Sequence, residues 1–182
     1  GAVTTVDVTA TLFERGKIEL LGVAPLTSMF YYGENTPRPS YEWRPQVHDS
    51  DGLLIHDAAT GEWLWRPLIN PRQLEMDYLQ TARVDGFGLL QRHTRFSDYE
   101  DWGARYELRP STWVQAGGDW GKGDVVLVQL PAAQEISDNI VAFWTPAEPV
   151  PPGRPLTFSY RLSFGGPAVA PEPMGFAQHT FV

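Results

Sequence analysis

The sequence predicts an all-β chain folded as an antiparallel β-sandwich. Seventeen Gly and sixteen Pro among 182 residues are too many breakers for a mostly helical chain, since Pro costs about 3 kcal/mol and Gly about 1 kcal/mol inside a helix. Short runs alternate apolar and polar residues with a period of two. Gly- and Pro-rich turns separate those runs, as in a sandwich. The length suits one domain, and 42% hydrophobic residues supply a core.

The elements follow in order. Residues 2–15 hold Val6, Val8, Ala10 and Leu12 in alternation with Asp7, Thr9 and Thr11, which predicts a strand. Gly16 breaks it, and residues 17–22 are expected to return as a second strand. Residues 24–30 are short and mostly apolar. Residues 31–45 contain three prolines and four aromatics, Tyr31, Tyr32, Tyr41 and Trp43, which predicts an ordered loop. Residues 48–52 (HDSDG) are a turn cluster. Residues 53–56 and 62–66 read as a hairpin in which Trp63 and Trp65 share one face. Residues 74–82 and 86–92 read as two strands about a turn at Val84 and Asp85. Residues 96–105 are one helical turn or a loop, and 105–113 is extended, with Pro110 limiting helix. After a glycine loop at 116–123, residues 124–130 (DVVLVQL), 140–145 and 156–164 complete roughly nine strands.

Charge and composition exclude several classes. With 14 Lys+Arg against 22 Asp+Glu the formal net charge is -8, which argues against nucleic acid, because phosphate contacts need clustered cations. No apolar run approaches the roughly 20 residues of a membrane span. There is no cysteine, so a disulfide framework, thiolate zinc sites and a cysteine nucleophile are excluded. No secretory leader is read at the start: Gly1 runs directly into strand-like sequence.

Carboxylates are the main candidates for chemistry. Asp49 and Asp51 lie in HDSDG, Asp98, Glu100 and Asp101 in SDYEDW, and Glu135 and Asp138 in QEISDN. Two carboxylates are what glycoside hydrolysis requires, one to protonate the leaving group and one to activate water or attack the sugar. The bland alternative is that such Asp residues form turns by bonding their own backbone. A calcium loop fails, because Gly52 arrives too early and Leu53 occupies a ligand position. The histidines His48, His56, His93 and His179 have no metal-site spacing and read as polar loop residues. GGDWGKG lacks the order of a phosphate loop, and no G-x-S-x-G occurs. Trp43, Trp102, Trp120 and Trp144 flank the acidic loops as stacking surfaces for sugar rings. Arg92 and Arg109 are among the guanidinium groups near tryptophans that suit a polar cleft.

Longer strings add a resemblance. LGVAPLTSMFYYGEN, RPQVHDSDGL, GEWLWRPLINP, GFGLLQR, RYELRPSTWV, GDWGKGDVVLVQLP and SDNIVAFWTP occur in order along nearly the whole chain. Together they resemble the osmoregulated periplasmic glucan biosynthesis proteins G and D. The resemblance implies a periplasmic protein of gram-negative bacteria that acts on the β-1,2-linked backbone of these glucans. It implies a large sandwich of the galactose-mutarotase-like (supersandwich) type followed by a smaller immunoglobulin-like domain, in about 500 residues, beyond the usual size of one domain. On that basis residues 1–164 correspond to the second half of the large sandwich, apparently incomplete, and 165–182 to a linker-like tail.

Family members include endo-β-1,2-glucanases and transferring relatives, both inverting at the anomeric carbon. By motif, Asp138 of SDNIV corresponds to the general acid, Asp49 of HDS to the general base, and Tyr106 of RYELRPS to a residue close to the reacting sugars. An inverting pair needs separated carboxylates with room for water. An acid that keeps its proton near neutral pH asks for burial or a negative neighbour, and Glu135 is near in sequence. The implied partner is β-1,2-glucan, with no nucleic acid, no direct membrane insertion, no metal and no organic cofactor; a homodimer is left open. A transglycosylase and a non-catalytic glucan-binding module serving a membrane synthase remain alternatives.

Overall fold

The computed structural model describes residues 3–150 and 152–171. Twelve strands run in order: β1 (Thr4–Phe13), β2 (Val23–Ser28), β3 (Phe30–Tyr32), β4 (Val47–His48), β5 (Gly52–Asp57), β6 (Glu62–Pro67), β7 (Glu75–Thr81), β8 (Val84–Leu90), β9 (Ser111–Ala116), β10 (Gly123–Gln129), β11 (Ile140–Pro146) and β12 (Pro155–Gly165). One helical turn, α1 (Phe96–Tyr99), and two 3-10 turns at Tyr106–Leu108 and Pro167–Val169 are the helical elements among the described residues. Every strand pair is antiparallel. A six-stranded sheet (β1-β12-β9-β8-β5-β6) faces a four-stranded sheet (β2-β11-β10-β7), and β3 and β4 form a separate ribbon. The all-β antiparallel sandwich expected from the sequence is what the chain forms.

The core follows from alternation. Leu53 and Ile55 of β5, Phe87 and Leu89 of β8 and Val114 of β9 meet Val125 and Leu127 of β10 and Ile140, Ala142 and Trp144 of β11. All ten are essentially without solvent exposure, and burying each aliphatic side chain is worth about 1.5–3 kcal/mol. The other face of the six-stranded sheet carries a second layer, in which Leu54, Leu90 and Trp113 pack with Trp63, Trp65, Val169 and Ala170. Of the expected tail, Gly165 still belongs to β12 and Val169 and Ala170 pack on this sheet, while 172–182 lie outside the described residues.

Three expectations are corrected. Residues 17–22 form no strand; β1 instead pairs with β12 at the far end of the chain, Val6 opposite Leu162. Residues 17–22 are spent crossing between the two sheets, because β2 belongs to the other one. β7 and β8 are both strands, but they are not a hairpin: β7 pairs with β10 and β8 with β5 and β9. The turn lies at Ala82 and Arg83, whose backbone N–H groups donate to the Asp57 carboxylate. Finally, Tyr106–Leu108 curls into a 3-10 turn within the stretch expected to be extended.

Candidate active site

Loops at one end of the sandwich converge on Asp49. The chain leaves the β3–β4 ribbon at His48 and enters the six-stranded sheet at Gly52. Its backbone is fixed on both sides: Asp49 N–H donates to Met29 C=O at 2.9 Å and Asp51 N–H to Leu90 C=O at 2.8 Å. His48 and Ser50 point inward, the latter bonded to Ser28 Oγ at 2.9 Å. Alternation along extended backbone then turns Asp49 away from them. Its side chain is about one quarter exposed, and Oδ1 sits 3.3 Å from Arg109 Nε. That oxygen is buried and accepts no hydrogen bond from any described residue. Burial is the largest influence on Asp49; it pushes the carboxyl above its ordinary pKa, opposed by Arg109 and reinforced by the charge of Asp138.

Asp138 thus lies within electrostatic reach of Asp49, although the two are 89 positions apart. Its neighbour Asn139 is buried and holds the acid loop against the ribbon. Asn139 Oδ1 accepts from Phe30 N–H at 2.8 Å, while Nδ2 donates to Phe30 C=O at 3.0 Å and Leu130 C=O at 2.9 Å. Asp49 is bonded to Met29, one residue away. The Asp49 backbone and the Asn139 side chain are therefore held from adjacent residues, Met29 and Phe30, while Asp138 itself is exposed. Beside Asp138, residues 130–139 enclose an open pocket of about 530 Å³.

Tyr106 packs under the site with Met29, Tyr32, Val47 and Tyr99. Burial pushes its phenol well above the ordinary range, and the charges of Glu135 and Asp49 push the same way. Arg109 lies 5.7 Å above the Tyr106 ring. Close by, Arg44 is clasped by three carboxylates. Glu42 takes a forked pair at 2.9 Å, Asp101 Oδ2 lies at 2.8 Å and Glu135 Oε2 at 2.6 Å. The guanidinium holds the Glu42 carboxyl below its usual range; Asp101 is also held low, against burial, by the Ala104 N–H and Arg44.

Behind Asp49, His48, Asp51 and His93 bring their ligand-capable atoms within 4.8 Å of one another. The chemistry of this set suits a divalent cation, but much of its capacity is already used within the protein. His48 Nε2 lies 2.9 Å from Gln46 Oε1. Asp51 accepts from the Arg92 and His93 backbone N–H groups and from the His93 ring at 2.5 Å. Complete burial pushes His48 down to about 4. Asp51 is drawn down to about 2, against burial, by the His48 and His93 rings and backbone N–H groups. His93 is raised: burial pulls down, but the Asp51 bond and charge prevail. The expectation of polar loop histidines fails at His48, a core residue stacked on Phe30, and at His56, which lies in β5 stacked on Trp63; His179 lies outside the described residues.

The other expected ligand contacts separate into two groups. Trp43 and Trp102 stand on loops, 63% and 76% exposed, and Trp102 leans on Phe96. Trp144 is fully buried between the sheets, and Trp120 packs on it and donates Nε1–H to Ser159 C=O. Neither presents a free face, so both are corrected from stacking surfaces to core. Arg92 spreads over Trp65 at 3.5 Å, on the outer face of the six-stranded sheet. Residues 1–182 match the family model for "Periplasmic glucan biosynthesis protein, MdoG". The sequence names Asp51 among the candidate carboxylates but gives no role to Arg44 or Asn139, although both lie within the strings RPQVHDSDGL and SDNIVAFWTP.

Acidic and aromatic side chains gather at this site in an antiparallel sandwich, and the chain is similar to proteins named for glucan biosynthesis. Glucans biosynthesis protein G of Serratia proteamaculans is 54% identical over 164 residues, 90% of this chain and 31% of that protein. Probable glucans biosynthesis protein D of Shewanella oneidensis is 50% identical over 174 residues, 96% of this chain and 32% of that protein. Glucans biosynthesis protein G of Ralstonia nicotianae is 51% identical over 162 residues, 89% of this chain and 32% of that protein. The chain belongs to the periplasmic glucan biosynthesis (MdoG) family. It spans about a third of the length of these relatives. No described helix is long and apolar enough to cross a membrane.

Proposed function

We propose that the protein containing this chain cleaves the β-1,2-glucan backbone in the periplasm with inversion, using Asp138 as general acid and Asp49 as general base. Asp138 gives its proton to the leaving glycosidic oxygen as the C1–O bond breaks. Asp49 takes a proton from the water that attacks C1 from the opposite face. The observation that carries this reading is Asp49 Oδ1: it is buried, Arg109 Nε stands 3.3 Å away outside hydrogen-bond geometry, and the charge of Asp138 reaches the same carboxyl. Such an oxygen has a lone pair to spare for a water. Tyr106 forms the floor, and Trp43 and Trp102 offer free faces for glucose rings.

The test is product analysis on the longest natural polypeptide carrying this sequence, with linear β-1,2-glucan as substrate. Shorter glucans with inverted ends are expected. Loss of a general acid removes about 10²–10⁴ of the rate, and Asp138→Asn should do so without loss of fold. Because Asp49 is raised, turnover should fall on acidification at a pH above the ~3.9 of an ordinary Asp. Relinked or cyclic products would replace hydrolysis with transfer at the same site. Full activity in the Asp138→Asn protein sinks the acid assignment, and glucan binding without new products leaves a binding module.

A further inference from the structure

We infer that Arg44 is a positioning residue for the acid loop: it draws Glu135, and with it residues 131–139, down over Asp49. The inference rests on the acid role proposed for Asp138. Three loops meet at this guanidinium. Glu42 lies on its own loop, Asp101 on the loop between α1 and Tyr106, and Glu135 on the acid loop. All three Arg44 nitrogens are engaged, and its side chain is only 12% exposed. Tyr32 braces the arrangement by donating its hydroxyl to Glu42 Oε2 and Arg44 C=O. Asp101 carries the anchor onward, since Oδ1 accepts from Gly103 and Ala104 N–H just before Tyr106.

Charge explains why a guanidinium is needed. Three carboxylates this close repel one another, and a single planar cation hydrogen-bonds Glu42 and Asp101 while its charge holds Glu135 at 2.6 Å. Glu135 is the outermost partner, with about a third of its side chain exposed. Asn139 pins the other end of the acid loop to Phe30. Asp138 therefore sits between a fixed end and the Arg44 contact. Without that contact the loop keeps its Asn139 anchor but loses its second restraint, three residues before Asp138. Misplacing a reacting group by about 1 Å can cost on the order of 10²-fold in rate.

A double-mutant cycle on the longest natural polypeptide tests this. Glu135→Gln and Arg44→Met are each expected to lower kcat about 10- to 100-fold with little change in KM. The double variant should be no worse than Arg44→Met alone, because Glu135→Gln removes a contact that Arg44→Met already removes along with those to Glu42 and Asp101. Arg44→Lys should recover only part of the rate. Hydrogen exchange of the 131–139 amides should quicken in Glu135→Gln, while exchange in β5 and β10 stays as in the wild type. Multiplying effects, or unchanged exchange in the acid loop, overturns the inference. If the wild type has no activity on glucan, the proposed function fails, while the exchange result still decides whether Arg44 holds the loop. Should Arg44→Met fail to fold, Glu135→Gln alone carries the test, since its side chain is near the surface.

Discussion

Trp144 and Trp102 make the most useful comparison in this molecule. Both lie beside polar, sugar-suited sequence, yet one is sealed between two sheets and the other is 76% exposed at a loop tip. The difference lies in their surroundings. Trp144 sits on a central strand, flanked by β10 and β2, and a side chain at Gly123 would strike its ring at 2.6 Å. Trp102 sits between two residues with left-handed backbone, Glu100 and Arg105, on a loop that cannot be covered by a sheet. Residue type alone does not distinguish structural from ligand-facing indoles; what the opposite strand leaves open does.

Replacing each indole should break that comparison if it is wrong. Trp144→Ala opens a large cavity between the sheets, and such truncations cost about 3–5 kcal/mol; chemical denaturation should show a midpoint shift of that size. Trp102→Ala should leave the midpoint within about 0.5 kcal/mol. It should instead weaken glucan binding roughly 10-fold, an effect of about 1.4 kcal/mol, read by calorimetry. A stability loss at Trp102, or a pure affinity loss at Trp144, would reverse the assignment.

The smallest effect belongs to Asp49. Its folded pKa is raised, so the ionised carboxylate is disfavoured in the fold. The native state is relatively favoured below the unfolded pKa, and that advantage is lost as pH rises through the folded one. Asp49→Asn is therefore expected to raise the melting temperature at pH 7 by about 1–3 °C, a gain that disappears near pH 3. An unchanged melting temperature would mean that Arg109 fully offsets the burial. This contrast sharpens the picture of the two ends: substitutions among the packed indoles reduce stability, whereas loss of a site carboxylate releases it.

How much was legible follows from where information resides. β12 is legible by alternation and β10 as a short apolar run, since Val125, Val126 and Leu127 are all buried. Sheet membership is not, since the pairing of β1 with β12 spans almost the whole chain. The β7–β8 hairpin was misread because a short turn looks the same whether it reverses within a sheet or crosses between two. At the site, Asp49, Asp138 and Tyr106 were named through long literal strings, and folding does bring Asp138 and Tyr106 within the electrostatic reach of Asp49. Arg44 opens the string RPQVHDSDGL, but its role is not legible there, because its partners Asp101 and Glu135 stand 57 and 91 positions away. Burial of Trp120 and Trp144 depends on Phe158 and Tyr160 arriving from β12, which no local pattern encodes.

The glycines beneath the indoles have an evolutionary consequence. Cβ atoms at Gly52, Gly86 and Gly123 would lie 2.2 Å, 2.4 Å and 2.6 Å from the rings of Trp65, Trp113 and Trp144. At Gly86 and Gly123 the backbone carbonyls of Val114 and Thr145 crowd the position as well, at 2.6 Å and 2.3 Å, so glycine is required there whatever the indole does. At Gly52 all three nearest atoms belong to Trp65, so this glycine and its indole form one heritable unit spread over two codons. Changing the glycine first creates a clash, and changing the tryptophan first creates a void. Lineages that differ freely at exposed loop positions should then share this pair or lack both of its members together.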